Sequence, residues 1–385
     1  MLRLFKRFFL YLFSIILIVA AVLWATGNEH LFKGFRHTYF VGKTGPDITD
    51  LTIFPTRIIK NDSVQLWGKD ENYNSKKLTK DELHYLDSIE TASFLVIQNE
   101  KIIFEKYWDG FSDTLPTNSF SMAKSVVSLL IGIALDEQKI SSLDEPIELY
   151  FPEYTYSGIT IRHLLWMSSG LDWKESGKNP FSDNAKAYYG NDLKQLILSQ
   201  QPLETPGKYF DYMSGNSALL ALIVERATGK TISEYAEEKL WKPINAEHTA
   251  YWSLDDNGFE KAYCCLYAIP RDFAKIGQLM LNKGKWNGSQ IISEKYLEEC
   301  FSPASTLETD LEPNKRYGLH WWLGKFDEET FYHAQGILGQ YIIILPKSNM
   351  VIVRTGRKRD KEEHNGLPID IYRYIRIAKR MTSNS

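Results

Sequence analysis

An apolar stretch from Val126 to Leu135 is preceded by Ser121-Met122-Ala123-Lys124, and no other conjunction restricts this chain as much. The stretch reads as a helix. Residues three apart on a helix share a face, so the Lys124 amine reaches the Ser121 hydroxyl. A free serine hydroxyl is a poor nucleophile until a base stands within hydrogen-bond reach. A lysine supplies that base once burial and neighbouring charge lower its pKa. Ser-x-x-Lys is a known catalytic signature. Two fixed positions in four also recur by chance, and on spacing alone the segment reads more readily as a helix start with an exposed lysine.

The rest of the chain sets the context. Its 385 residues, 44% hydrophobic and 14% aromatic, suit a folded globule of one large domain or two moderate ones. A net charge of -3, with no basic stripe beyond clusters such as Arg357-Lys358-Arg359, gives no electrostatic case for nucleic acid. Arg3, Lys6 and Arg7 precede an apolar run from Phe8 to Ala25 broken only by Ser14. The run is about long enough to cross a bilayer. Positive charge before it holds the N-terminus in the cytoplasm and sends the remainder to the periplasm or exterior. A cleaved signal peptide is the competing reading, but its apolar region is shorter, about 7–15 residues, and Leu23-Trp24-Ala25 is a mediocre cleavage site. The expectation is an uncleaved anchor over 1–27, a turn-rich lead-in arm over 28–90, and one main folded domain over 91–385.

Cys264, Cys265 and Cys300 are an odd set that cannot pair completely. Neighbouring Cys264 and Cys265 would close only a strained ring, so buried free thiols are expected. With no CxxC, no His-Glu-x-x-His and scattered histidines, nothing supports a metal site, and no cofactor is implied.

Along the chain, Phe94–Ile97 and Ile102–Phe104 flank Asn99-Glu100 as strand, turn and strand. Helices are expected from Ser121, over Ile159–Leu165, over Ser217–Arg226, over Pro270–Leu281 and over Ile369–Arg380. Tyr341–Leu345 and Val351–Arg354 read as strands around a Pro346 turn. The pattern predicts an α+β fold: an antiparallel sheet built from both termini, flanked by helices, with a helical subdomain between.

A second chemical signal is Pro206-Gly207-Lys208-Tyr209-Phe210-Asp211-Tyr212-Met213-Ser214-Gly215-Asn216. A tyrosine on a loop held by Pro-Gly is placed to share a proton with a lysine, and reads equally as a packed tyrosine beside a turn. Taken with Phe120–Ser125, Ile159–Leu171, Pro270–Gly277, Tyr317–Trp322 and Gly336–Gln340, the chain resembles the serine β-lactamase-like, penicillin-recognising superfamily. Within it, the chain is most similar to the branch of class C β-lactamases, esterases and 6-aminohexanoate-dimer hydrolases, the last above all. The six stretches follow the family's order from about Phe94 onward.

The resemblance implies Ser121 as the acylated nucleophile, Lys124 as its general base and Tyr212 as the proton relay. It implies an oxyanion hole from the Ser121 N–H and a strand N–H after Gly336, that of Ile337. Such donors are each worth about 3–4 kcal/mol in other enzymes. Ser214 stands where many relatives carry Asn. Asn216 either contributes a polar contact or caps the next helix. In the third motif, where relatives carry Lys-Thr-Gly or His-x-Gly, this chain has Tyr332-His333-Ala334-Gln335-Gly336. Counted from Gly339, His333 takes the cationic place; counted from Gly336, Ala334 does. Neither supplies a lysine for a substrate carboxylate.

Lys43-Thr44-Gly45 and Arg354-Thr355-Gly356 carry the third motif's letters in the wrong places and read as a turn and a strand exit. Asp272 reads as a helix cap, Arg162 and His163 as structural, and Trp321 and Trp322 as strand packing or cleft lining alike. Tyr188 and Tyr189 are expected on a loop over the pocket. No separate deacylating Glu is evident. The sequence therefore predicts a membrane-anchored serine hydrolase acting on a small ester or amide. A cell-wall D-amino-acid peptidase or β-lactamase, and a silent binding protein, are the alternatives.

Overall fold

Short stretches from both ends of the chain join side by side in one sheet. The structure, a computed structural model, describes residues 2–154 and 157–383. The sheet takes β1 (Gly68–Lys69), β2 (Thr91–Gln98) and β3 (Lys101–Tyr107) from the first third of the chain. From the last quarter it takes β4 (Trp322–Phe326), β5 (Glu329–Gly336), β6 (Gln340–Leu345) and β7 (Met350–Gly356). Their spatial order is β4-β5-β6-β7-β2-β3-β1. The two ends meet where β7 pairs antiparallel with β2, Val353 opposite Leu95 and Arg354 opposite Phe94. Only the short β1 runs parallel to its neighbour. The sheet expected from both termini is thus present.

Side chains alternate across a strand, and here both faces are covered. Ile342, Ile344, Val351 and Val353 face a core shared with α3 (Met122–Asp136), α5 (Ser214–Thr228) and α6 (Pro270–Leu281). Tyr341, Ile343, Leu345 and Ile352 face a second core closed by α7 (Ile369–Thr382). Double burial is why these strands read as continuous apolar runs. Between β3 and β4 lies the helical excursion, which contains α3, α4 (Asp183–Tyr189), α5 and α6. α3 is buried along nearly its whole length, as a helix apolar on every side must be.

Outside this body lies α1 (Leu2–Ala25). Its residues Arg3–Ala25 are long and apolar enough to cross a membrane, and none of its most apolar window is buried. The arm that follows is more ordered than its polar sequence suggested. It contains α2 (His30–His37) and a capped helix over Lys80–Ser88, which sets Leu86 in the second core.

Several single residues depart from expectation. Asp272 does not cap its own helix, whose N-cap is Ile269; its buried carboxylate accepts from the Glu247 and His248 N–H groups at 2.6 and 2.9 Å, and burial pushes it up to about 7. Arg162 pairs with Asp144 and Glu299, and His163 completes a capping box with Thr160, both structural as read. Arg354, at the strand exit, is a fully buried cation. Its guanidinium donates to the carbonyls of Ile89, Leu338, Gly339 and Lys358.

Candidate active site

The position of Ser121 follows from a sharp corner. The strand Thr117–Asn118 pairs with Leu266–Ala268, and α3 begins at Met122. Phe120 lies between them with φ +44°, an uncommon backbone state for a bulky residue. It is held there by its N–H on Asn118 Oδ1 at 2.9 Å and by a buried ring packed with Ile48 and Ala92. The corner leaves Ser121 half-buried at the N-cap of α3, its hydroxyl toward a cavity of about 370 Å³. A larger cleft of about 540 Å³, around Trp67 and Trp286, contains none of these groups.

One turn along, Lys124 is buried. Its Nζ donates to Ser121 Oγ at 3.3 Å, Ser214 Oγ at 3.1 Å and the Tyr263 carbonyl at 2.7 Å. Burial lowers its pKa to about 8, opposed by the charge of Glu175. An amine so tuned is partly neutral near neutrality and can take a proton. Tyr212 stands beside Ser121, whose hydroxyl favours its ionised form, and lies 5.3 Å, ring centroid to amine, from Lys124. Burial holds its phenol far above the usual range, so it stays a proton donor. Trp322 stacks on Tyr212 at 5.7 Å.

The second motif hangs from the Met167–Gly170 turn: Asp211 N–H donates to Met167 O at 2.7 Å, and Gly207 N–H to Ser168 O at 2.8 Å. Ser214, the first residue of α5, therefore meets Lys124. Asn216 lies a half-turn deeper and outside the cavity, accepting from Ser169 Oγ at 2.7 Å; its contact is with the turn beneath the site.

The third motif resolves on its geometry. A Cβ on Gly336 would overlap the Ser119 carbonyl oxygen and lie 3.1 Å from Ser121 N, so β5 passes Ser121 at Gly336. Gly339, with φ +86°, lies instead in the turn against Arg354. Counting from Gly336 puts Ala334 in the cationic place. His333 faces away, wholly buried with Phe331, Tyr341 and Trp322, where burial lowers it to about 3. Ile337 lines the cavity and is half exposed. Gln340 ties the intervening turn, its amide donating to Ile337 O at 3.0 Å and Gly356 O at 2.7 Å.

Other walls were harder to anticipate. Glu175 lines the cavity. Its carboxylate accepts from Ser214 N and Oγ at 2.8 and 2.9 Å, from Trp173 Nε1 at 2.8 Å and from Asn184 Nδ2 at 2.6 Å. A chain of contacts thus runs Ser121–Lys124–Ser214–Glu175. No motif flags a glutamate on a polar loop. Tyr188 and Tyr189 line the cavity from α4 (Asp183–Tyr189), a helix and not a loop. Thr44 and Gly45 lie at its edge, in a turn whose Lys43 points to Asp50 at 2.5 Å. Trp321 and Trp322 are packing residues outside it.

The cysteines correct the sequence expectation: Cys264 and Cys265 are joined as a disulfide, while Cys300 is free and buried. The left-handed backbone at Cys265, φ +65°, turns its side chain back toward Cys264. Bonds from Trp252 Nε1 to Cys264 O at 2.8 Å and from Ser253 N to Cys265 O at 3.0 Å fix both carbonyls. Cys264 lines the cavity beside Tyr263.

The relatives share this frame. A 6-aminohexanoate-dimer hydrolase from Paenarthrobacter ureafaciens is 26% identical over 311 residues, 74% of this chain and 79% of that protein. A solved structure named as a 6-aminohexanoate-dimer hydrolase from Bacillus anthracis superposes with a TM-score of 0.74 at 24% identity, over 87% of this chain and 93% of that one. A family VIII carboxylesterase superposes with a TM-score of 0.62 at 19% identity, over 78% and 95%. These likenesses establish a serine β-lactamase and penicillin-binding-protein fold. The Beta-lactamase family profile matches residues 79–369, a span holding every strand of the sheet but β1 and the whole Ser121–Lys124–Tyr212 group, and the chain belongs to that family.

Proposed function

We propose that this protein is a serine hydrolase that cleaves an ester or amide through an acyl-enzyme on Ser121. The observation that carries the reading is the Lys124 amine, buried and 3.3 Å from the Ser121 hydroxyl at the floor of an open cavity. Neutral Lys124 takes the hydroxyl proton as Ser121 Oγ bonds to the substrate carbonyl carbon. The carbonyl oxygen gains charge between two N–H groups, those of Ser121 and Ile337, neither of which donates elsewhere among the described residues. Preorganised donors of this kind are a large part of acyl-transfer catalysis. As the carbon–oxygen or carbon–nitrogen bond breaks, Tyr212 gives its proton to the leaving alcohol or amine and is reprotonated from Lys124. Water then adds to the acyl-serine, its proton passing back the same way, and the carboxylic acid leaves.

The hydrolase names of the relatives support the reaction class. An Ala334 in the cationic place of the third motif leaves the substrate-carboxylate contact of peptidases and β-lactamases unmade. We further propose that α1 anchors the catalytic domain outside the cytoplasm. The test is intact-mass analysis of the full chain in detergent after exposure to a fluorophosphonate. One adduct is expected, absent from Ser121→Ala; a folded protein that takes up none would rule the reading out.

A further inference from the structure

One wall of the cavity that holds Ser121 is built by the segment that follows the apolar helix. Leu31, Gly34, Phe35, Thr38 and Tyr39, on or next to α2, line the same cavity as Ser121 and Tyr212. α1 ends at Ala25 and α2 begins at His30. The intervening residues Thr26 to Glu29 reach at most about 14 Å fully extended. A bilayer crossed by α1 therefore has its surface beside the cavity mouth. The rim there is apolar and uncovered: Phe40 is 82% exposed, Tyr39 63%, Val41 60%, and Phe181 and Ile337 51% each. Exposed large apolar groups gathered at one rim mark a surface meant for an apolar neighbour. α2 is fixed to the catalytic body, not loose upon it, by Lys33 on Asp256 at 2.6 Å and His30 Nε2 on Pro180 O at 2.8 Å.

From this continuity of anchor, wall and cavity we propose that the substrate is an amphiphile drawn from the membrane, an ester or amide whose hydrocarbon chain lies along α2 while its carbonyl reaches Ser121. The proposal rests on the serine-hydrolase reading above and names the substrate class for that site. The chain passes Phe35 and Tyr39; the polar leaving group lies toward Glu175 and Ser214, the charged and hydroxylic side of the cavity. Hydrolysis returns the free fatty acid to the bilayer and releases the alcohol or amine.

The test uses the full chain reconstituted in phosphatidylcholine–phosphatidylglycerol vesicles, with p-nitrophenyl acetate, octanoate and laurate as probes. kcat/KM is expected to rise at least about tenfold from acetate to laurate, a gain that two or three buried methylenes supply. In Phe32→Ser/Phe40→Ser, two exposed residues beside the mouth and outside its lining, the laurate-to-acetate ratio is expected to fall at least threefold. Acetate turnover that depends on Ser121, with no rise along the series in the wild-type chain, would overturn the amphiphile proposal and leave the hydrolase standing. A flat series with concentration-dependent dimerisation that the double variant abolishes would assign this face to a second copy and overturn it as well. Loss of every ester activity, with no Ser121 adduct, would remove both readings together.

Discussion

The floor of the cavity and its outer wall are built on different terms. On the floor, Ser121, Lys124 and Ser214 sit at the starts of two buried helices, with β5 passing at Gly336, each polar atom tied to another. On the wall, α2 and the Glu175 loop are tied to the body by long-range contacts, His30 to Pro180 and Glu175 to Ser214, and present exposed aromatic and polar groups around them. Acyl transfer needs reacting atoms held to within a fraction of an ångström, which helices and strands provide. Recognition of one substrate among many needs surfaces that vary without disturbing that geometry. On the proposed reading, the groups that transfer the acyl chain belong to the floor and the groups that choose the substrate belong to the wall.

Substitution at Lys124 breaks the floor most completely. In Lys124→Met, kcat/KM on a short ester should drop by about 10²–10⁴, the usual contribution of a positioned general base. The pH profile sharpens the assignment. As the proposed base, Lys124 would act in its neutral form, and burial puts its pKa at about 8. The wild-type rate should therefore fall tenfold per unit as pH decreases below about 8, and level off above it. Glu175 raises that pKa by its charge, so Glu175→Gln should move the limb to lower pH without removing it. A wild-type profile flat from pH 6 to 9 would contradict Lys124 as the base, and an unshifted limb in Glu175→Gln would detach the wall from the floor.

Gly336→Ala tests the close pass of β5 with a single methyl group. The atoms a Cβ would meet are backbone, the Ser119 carbonyl oxygen and Ser121 N, with Phe120 Cβ at 3.1 Å. None is the end of a flexible side chain, so the strand itself must draw back and separate the Ser121 and Ile337 N–H groups. Loss of one oxyanion donor costs about 10²–10³ in kcat, and a fall of about that size is expected with KM little changed. Unaltered kcat would show that the strand contributes nothing to the reacting carbonyl.

How much of this was legible in the sequence divides along the same line. Ser121, Lys124 and Tyr212 carried local signals too weak to decide alone, and it was the resemblance over six ordered stretches that singled them out, whereas β2, β6 and β7 were legible because double burial makes apolar runs. The register of the third motif was not legible: His333 and Ala334 are neighbours on a strand, so they point to opposite faces, and only the packing of Gly336 on Ser121 decides between them. Glu175 and α2 are assembled by contacts far apart in the chain, His30 with Pro180 and Glu175 with Ser214, and carry no local mark. The Cys264–Cys265 pairing depended on a left-handed backbone at Cys265 that letters do not announce.

The smallest effect expected comes from the same substitution made in the wall. Gly34 lies within α2, and a Cβ there would approach the Tyr189 ring at 3.5 Å, ordinary van der Waals contact. No backbone atom stands in the way. Glycine inside a helix costs about 0.5–1 kcal/mol relative to alanine, so Gly34→Ala should strengthen α2 by up to about that amount. The measurement is amide hydrogen exchange over His30–His37, which should slow by about two- to fivefold, with a thermal midpoint unchanged or slightly raised. Faster exchange would mean that α2 is seated on Tyr189 too tightly to accept a methyl group. The wall would then be packed as the floor is, and the contrast between a fixed chemistry and an adaptable recognition surface would have to be redrawn at the edge of the Glu175 loop.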